Sequence, residues 1–432
     1  MTLTAWSAVA VFASAYVLIA SDRINKVKIV LAGAVLMLLI QATDGQTAFF
    51  SPEAGIDWNV LFLLLGMMLI VAVVERTGVF EFIAIWAVKR AGGKPFRVMV
   101  ILVVVTAVAS ALLDNVTTIL LIAPVTFLVC DRLAVSAIPF LIAETLASNI
   151  GGTATLVGDP PNIIIASRSG LTYDDFLIHL APLVVVLMVV FIGLCRVMFR
   201  SAFVHDEQRA AQIMALRERD AIRDPRLLVI SSVVLAAVTL AFVLHTALHL
   251  EPAVVAMIGA LVLLAVSGLD AEEVASDVEW PTLIFFAGLF VMVGALVNTG
   301  VVDQIARAAA EAADGRLAAA AVGLLWGSAA LSAIIDNIPY VATMSPVVAE
   351  VIAAEGSSPQ ARSLWWALAL GADLGGNATA VGASANVVAL GLARKAGQPI
   401  SFWGFTKYGL LTAVVTIAVA TPYVVVRYFV LA

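Results

Sequence analysis

The sequence predicts an all-α polytopic membrane protein of two inverted repeats, each with five spans, a re-entrant hairpin and a broken helix. Three observations lead there. First, 62% of the 432 residues are hydrophobic and 12% charged, with a mean hydropathy of +1.06, more apolar surface than a water-soluble core can hide. Second, the chain is duplicated. Trp58, Gly66, Gly78, Asp114, Asn115 and Pro124 recur 222 positions later as Trp280, Gly288, Gly300, Asp336, Asn337 and Pro346. Gly151, Thr155, Gly158 and Asn162 recur 224 later as Gly375, Thr379, Gly382 and Asn386, after a two-residue insertion. Third, the stretches GGTATLVGDPPN (Gly151 to Asn162) and GGNATAVGASAN (Gly375 to Asn386) interrupt apolar spans with helix-breaking residues. Long repeats with discontinuous helices at matching places are the sequence sign of a secondary transporter, whose site lies near mid-bilayer where the repeats meet.

Apolar windows of the length a span needs, about 17 to 25 residues, run from Thr2 onward and leave no room for a soluble catalytic domain. Leu3 to Ala20 has no basic segment before it and is followed by Arg23, Lys26 and Lys28, so it reads as a retained first span with its N-terminus outside. The loop from Asp44 to Asp57 lacks Lys and Arg and belongs outside; Lys89, Arg90, Lys94 and Arg97 bring the chain back to the cytoplasm. Val98 to Leu113 and Val116 to Val129 flank Asp114-Asn115. One span would hold a charge at its centre, so the pair is expected to form a re-entrant hairpin entering from the cytoplasm, its tip at Asp114-Asn115. A broken helix from Leu133 to about Arg168 and a span from Phe176 to Phe199 complete the first repeat, residues 1–199.

Arg200, Arg209, Arg217, Arg219, Arg223 and Arg226 alternate with acidic residues across a cytoplasmic linker, residues 200–226. The second repeat, residues 227–432, therefore starts inside and inverts. Leu227 to Leu248, Pro252 to Val266 and Thr282 to Val297 match the first three spans. Asp303 to Arg316 matches Glu81 to Lys94 as an amphipathic interfacial piece. A hairpin from Leu317 to Glu355 with Asp336-Asn337 at its tip, a broken helix from Leu364 to about Lys395, and a span from Phe405 to Val430 follow. The expected total is ten spans and two hairpins.

The tips, LLDNVTT at Leu112 to Thr118 and IIDNIPY at Ile334 to Tyr340, each offer a carboxylate, an amide and unpaired backbone groups. This set can replace water around an ion or a small polyhydroxy solute. Asp and Asn also cap helices, and both roles can hold together. A lone charge is disfavoured in apolar surroundings, which makes Asp114 and Asp336 candidate proton carriers. Thr153, Thr155, Asn162, Asn377, Thr379, Ser384 and Asn386 add neutral polar groups at the breaks. Gly151, Gly152, Gly375 and Gly376 allow either a binding loop or close helix packing. The copies differ where Asn149 corresponds to Asp373, and Asp159-Pro160-Pro161 to Ala383-Ser384-Ala385. Asp373 is thus a further ion or proton candidate, Asp159 a gate or cap, and Glu144 part of a proton path or a structural pair.

Cys130 and Cys195 near span ends are too few for a disulfide framework or a thiolate metal site. His179, His205, His245 and His249 read as solvated residues rather than ligands, so no metal and no cofactor is expected beyond a proton or sodium as coupling ion. The net charge of -6 gives no sign of nucleic-acid binding. Neither GxxxxGK[ST] nor GxSxG occurs, which argues against an enzyme or an ATP-driven pump within this polypeptide.

DNVTTILLIAPVT at Asp114, NIGGTATLVGDPPNIII at Asn149, DNIPYVATM at Asp336 and WWALALGADLGGNATAVGASANVV at Trp365 resemble the ion transporter superfamily. Within it they are similar to the group of ArsB-type arsenite permeases, NhaD-type sodium/proton antiporters and P proteins, and most of all to the P-protein type. The resemblance covers both repeats. It implies inverted five-helix repeats, a homodimeric scaffold and an elevator-like movement, with Asn115, Thr117, Asn337 and the two breaks forming the substrate and ion site. Dicarboxylate carriers of the superfamily place Ser-Asn-Thr at the tips, whereas Asp114 and Asp336 disfavour a multiply anionic substrate. The expected function is proton-coupled export of arsenite or antimonite across the plasma membrane, with a cytoplasmic ATPase subunit as a partner to consider. Sodium/proton antiport and a chloride or carboxylate transporter or channel are the alternatives.

Overall fold

The breaks and caps read from the sequence reappear as helix ends in the computed structural model, which describes residues 2–21, 24–203, 218–313, 316–356 and 358–431. Arg23, His205, Arg209 and Arg217 lie outside the described residues. The first half comprises α1 (Leu3–Ser21), α2 (Lys26–Leu39), α3 (Gly45–Phe50), α4 (Trp58–Arg76), α5 (Val79–Arg90), α6 (Pro95–Leu112), α7 (Asn115–Leu133), α8 (Ile138–Gly152), α9 (Pro160–Ser169), α10 (Tyr173–His179) and α11 (Ala181–Met198). The second comprises α12 (Pro225–Val243), α13 (His245–Leu248), α14 (Pro252–Ser267), α15 (Ala271–Ser276), α16 (Trp280–Asn298), α17 (Val301–Ala313), α18 (Leu317–Ser332), α19 (Asn337–Ala354), α20 (Pro359–Gly376), α21 (Ser384–Lys395) and α22 (Phe402–Val425). Only α10 and α13 lack a counterpart among these helices.

Local chemistry sets the ends. Asp57 caps α4 through the amide of Val60 (3.2 Å), Asp224 caps α12 through those of Arg226 and Leu227 (2.9 Å each), and Ser358 caps α20 through that of Ala361 (3.1 Å). Asp159 is extended (φ −139°, ψ 131°) because a proline follows it, and Pro160 restarts the helix at its first position. The expected span from Phe176 to Phe199 is divided at Leu180. Thr172 and Asp175 form a capping box on α10, and Pro182, which has no N–H to give, opens α11.

Among the described residues, eight helices are long and apolar enough to cross a membrane, and the chain is membrane-embedded. The expectation of ten spans counts differently: α2, α8, α9, α14 and α21 are shorter than a span, α20 has 18 residues but carries Arg362 and Asp373, and the hairpin legs α6, α7 and α19 are themselves among the eight. The hairpin legs α6 and α7 have 18 and 19 residues, about 27 Å of helix each and close to the hydrocarbon thickness.

Packing repeats as the sequence does. Helix α4 lies against α14 and α2 against α16; deeper in, α7 lies against α21 and α9 against α19. In lipid, close approach rather than apolar burial drives such contacts. A Cβ on Gly151 would strike Ala107 of α6, and one on Gly375 would meet Ala329 of α18, with its carbonyl oxygen at 2.6 Å. The paired serines act alike: Ser110 donates to Ser148 O and Ser332 to Ala372 O, each at 2.7 Å. Close helix packing is thus one role of these glycines.

Candidate functional site

Both hairpin tips are carboxylate-capped. Asp114 accepts from the amide and hydroxyl of Thr117 (2.8 and 2.5 Å). Asp336 accepts from the Ile338 amide (3.2 Å), the Ser384 hydroxyl (2.6 Å) and the Lys26 ammonium (3.0 Å). Capping is therefore part of what each does, and Thr117 acts through Asp114.

The asparagines beside them reach inward. Asn115 Nδ2 donates to Asn149 Oδ1 (3.1 Å) and Asp159 Oδ2 (3.0 Å), while Asn337 Nδ2 stands 3.4 Å from both oxygens of Asp159. Asp159 thus ties both tips to the first break. Asn149 ties that break to the second, donating to Asn377 Oδ1 and Asn386 Oδ1 at 3.0 Å each. Each break is closed by its own pair of side chains. Asn162 donates to Thr155 O (3.0 Å) and Asn386 to Thr379 O (2.8 Å), while the Thr155 and Thr379 hydroxyls donate to Ala111 O and Ala333 O (2.6 Å each). Thr153 donates to Asn149 O (2.9 Å). Gly152 and Gly376 end the helices, where Gly158 O and Gly382 O would lie 2.5 and 3.1 Å from an added Cβ. Asp373 is 0% exposed and neither of its oxygens has a hydrogen-bond partner.

Beside this network lies a cavity of about 530 Å³ bounded by Lys26, Asp114, Pro160, Glu279, Ile338 and Ser384, within the usual range for small-molecule sites. Its polar wall is oxygen-rich, suited to hydroxyl donors or cations.

Lys26 and Glu279 of this wall were not legible as site residues, since Lys26 served only to orient a loop. Tyr16, on the first span, donates to Pro339 O and lies 2.5 Å from the Thr343 hydroxyl, holding α19 behind its tip. Glu144 is buried and both its oxygens accept from the Thr126 hydroxyl, at 2.7 and 2.8 Å. The expectation for His179 is corrected. It is half-buried, stacked on Trp366 (centroids 4.7 Å apart) and bonded to the Tyr428 hydroxyl (2.7 Å), because α20 and the chain end after α22 close over it. Cys130 and Cys195 are buried free thiols.

The citrate transporter (CitMHS) family model matches residues 16–371. An uncharacterised transporter of Mycobacterium tuberculosis (strain ATCC 25618 / H37Rv) is 58% identical over 424 residues, 98% of this chain and 99% of that protein. The P protein of Mus musculus is 32% identical over 502 residues, covering 98% of this chain and 60% of that longer protein. Among solved structures, the YdaH transporter of Alcanivorax borkumensis shares the fold with a TM-score of 0.57 at 17% identity, over 90% of this chain and 87% of that one. MtrF of Neisseria gonorrhoeae does so at 0.55 and 14%, over 94% and 85%. The family match over most of the chain, with a near-full-length transporter relative at 58% identity, makes this protein a membrane transporter, not an enzyme, that belongs to the citrate transporter family.

Proposed function

We propose that the chain is a proton-coupled secondary transporter that exports a small uncharged polyhydroxy solute, arsenite or antimonite, across the plasma membrane. The observation that carries this is the cavity wall: Asp114, Glu279 and the Ser384 hydroxyl, with Asp336 held by Lys26. Arsenite is mainly the neutral trihydroxide at neutral pH, so these acceptors can take its hydroxyl protons without having to neutralise a charge. A citrate anion would meet Asp114 and Glu279, with Asp336 behind Ser384, against one bound ammonium. In this reading the repeats are inverted, the N-terminus is outside and the linker cytoplasmic. The cavity then opens inward, since Lys26 and Glu279 follow inner loops. Two copies form the scaffold, the hairpins and breaks move as one elevator-like unit, and a separate ATPase subunit would dock on the linker.

The test is proton movement in proteoliposomes under an imposed pH gradient, with arsenite, sodium and citrate added separately, beside an Asp114→Asn, Asp336→Asn double variant. Proton flux evoked by arsenite alone and lost in the variant supports the proposal. A response to sodium alone moves the assignment to sodium/proton antiport, a reading favoured by the unpartnered oxygens of Asp373. Current without a counter-ion would indicate a channel, which the wall carboxylates disfavour for anions.

A further inference from the structure

Position 373 is where the two repeats part chemically. Its counterpart, Asn149, uses both ends of its amide, accepting from Asn115 and donating to Asn377 and Asn386. Asp373 sits equally deep, 0% exposed, with both oxygens unpartnered and no ion pair among the described residues. Beside it stand the side chains of Thr153 and Asn162. The Thr153 hydroxyl is committed to Asn149 O, and the Asn162 Nδ2 to Thr155 O. That leaves Asn162 Oδ1, also 0% exposed, as a third acceptor without a donor.

The other three carboxylates of the site are provided for. Asp114 receives an amide and a hydroxyl, Asp159 the two hairpin asparagines, and Asp336 an amide, a hydroxyl and an ammonium. Such donors satisfy the lone pairs of a buried carboxylate. Asp373 has no donor at hydrogen-bonding geometry, the Thr153 and Asn162 side chains standing near it without a bond, and Asp159, itself beside Asp336 and Asp114, adds a like charge. An unpaired buried charge is costly, as is an acceptor left bare. One proton on Asp373 removes the charge and supplies the donor that Asn162 Oδ1 lacks.

We infer that Asp373 is the site of the coupling proton, with Asn162 Oδ1 accepting the hydrogen bond that holds it. This rests on the proton-coupled reading above and names the group it leaves open. A carboxylate oxygen of Asp373 takes a proton from water on one side of the membrane, and the resulting O–H donates to Asn162. When the site opens to the other side, the same proton returns to water; no other bond forms or breaks.

The experiment uses the full chain in proteoliposomes and arsenite as probe, with Asp373→Asn and Asn162→Ala. Asp373→Asn installs the residue its counterpart already carries, and the new amide can donate to Asn162 Oδ1, so folding is expected to survive; monodisperse elution checks it. Arsenite counterflow should continue, arsenite flux driven by a pH gradient should be lost, and the protonated-carboxyl band in acid-minus-alkaline infrared difference spectra should vanish. Asn162→Ala should keep the band and shift both its frequency and its pH midpoint. If wild type shows the band, Asp373→Asn removes it and arsenite still evokes no flux, the substrate reading fails and this inference stands. Gradient-driven flux surviving in Asp373→Asn, the same band persisting there, or its replacement by a sodium-dependent and pH-independent signal would each overturn it.

Discussion

The ion pair between Lys26 and Asp336 spans the boundary between α2 and the second hairpin tip, and its strength follows from its surroundings. Lys26→Met keeps the stem and removes the ammonium; combined with Asp336→Asn it completes a double-mutant cycle. The side chains are 25% and 3% exposed, with N and O 3.0 Å apart. An exposed pair contributes about 0.2–1 kcal/mol, and removing one partner of a fully buried pair costs about 3–5 kcal/mol. Here the Ser384 hydroxyl and the Ile338 amide stay on the carboxylate after Lys26 is lost, and the ammonium is partly wet. The coupling energy should fall near 2 kcal/mol, which is about a 30-fold change in an equilibrium constant. The assay is reversible unfolding in mixed micelles of mild detergent and dodecyl sulfate, followed by tryptophan fluorescence for wild type, both single variants and the double. A coupling energy below about 0.5 kcal/mol, the scatter expected of independent sites, would refute the claim that this bridge fastens the tip.

Gly151→Ala and Gly375→Ala should each lower the unfolding midpoint by overpacking worth about 1–3 kcal/mol, since the new Cβ meets Ala107 or Ala329 backbone. Gly193→Ala, with nothing within 4 Å, should leave the midpoint unchanged or raise it. Asn149→Ala strips partners from Asn377 and Asn386 as well as from Asn115. It should cost about 1–3 kcal/mol for each buried group left unpaired and abolish transport while the protein still inserts, as flux and membrane fractionation together can show. At the linker, the Lys89 ammonium holds the Glu218 carboxyl below its usual value. That ion pair is present above the ordinary carboxylate range, near pH 4.3, and is lost as pH falls through the lower folded value. Protection against hydrogen exchange at Glu218 to Arg223, corrected for the intrinsic pH dependence of amide exchange, should therefore fall only in acid, and Glu218→Gln should remove that fall.

Helix breaks and capped tips were readable because their causes are local. Pro160 after Asp159, the paired glycines and an Asp-Asn inside an apolar run each act within a few residues of themselves, and duplication gave the glycines and the Asp-Asn tips a second witness. The same locality explains why apolar runs in the sequence reappear as long apolar helices, α6, α7 and α19 of the expected hairpins among them.

Pairings were another matter. Lys26 meets Asp336 across 310 positions, Asn149 meets Asn386 across 237, and His179 meets Tyr428 across 249. A lysine that reads as a loop charge and a histidine that reads as solvated take their chemistry from helices no local pattern could bring to them. The sequence marked Asp373 as the point where the repeats diverge, but Asn149, its twin, finds three partners and Asp373 none. That difference depends on the crossing of α8, α20 and the two breaks, because hydrogen bonds are made at about 3 Å, and only the folded chain sets separations on that scale.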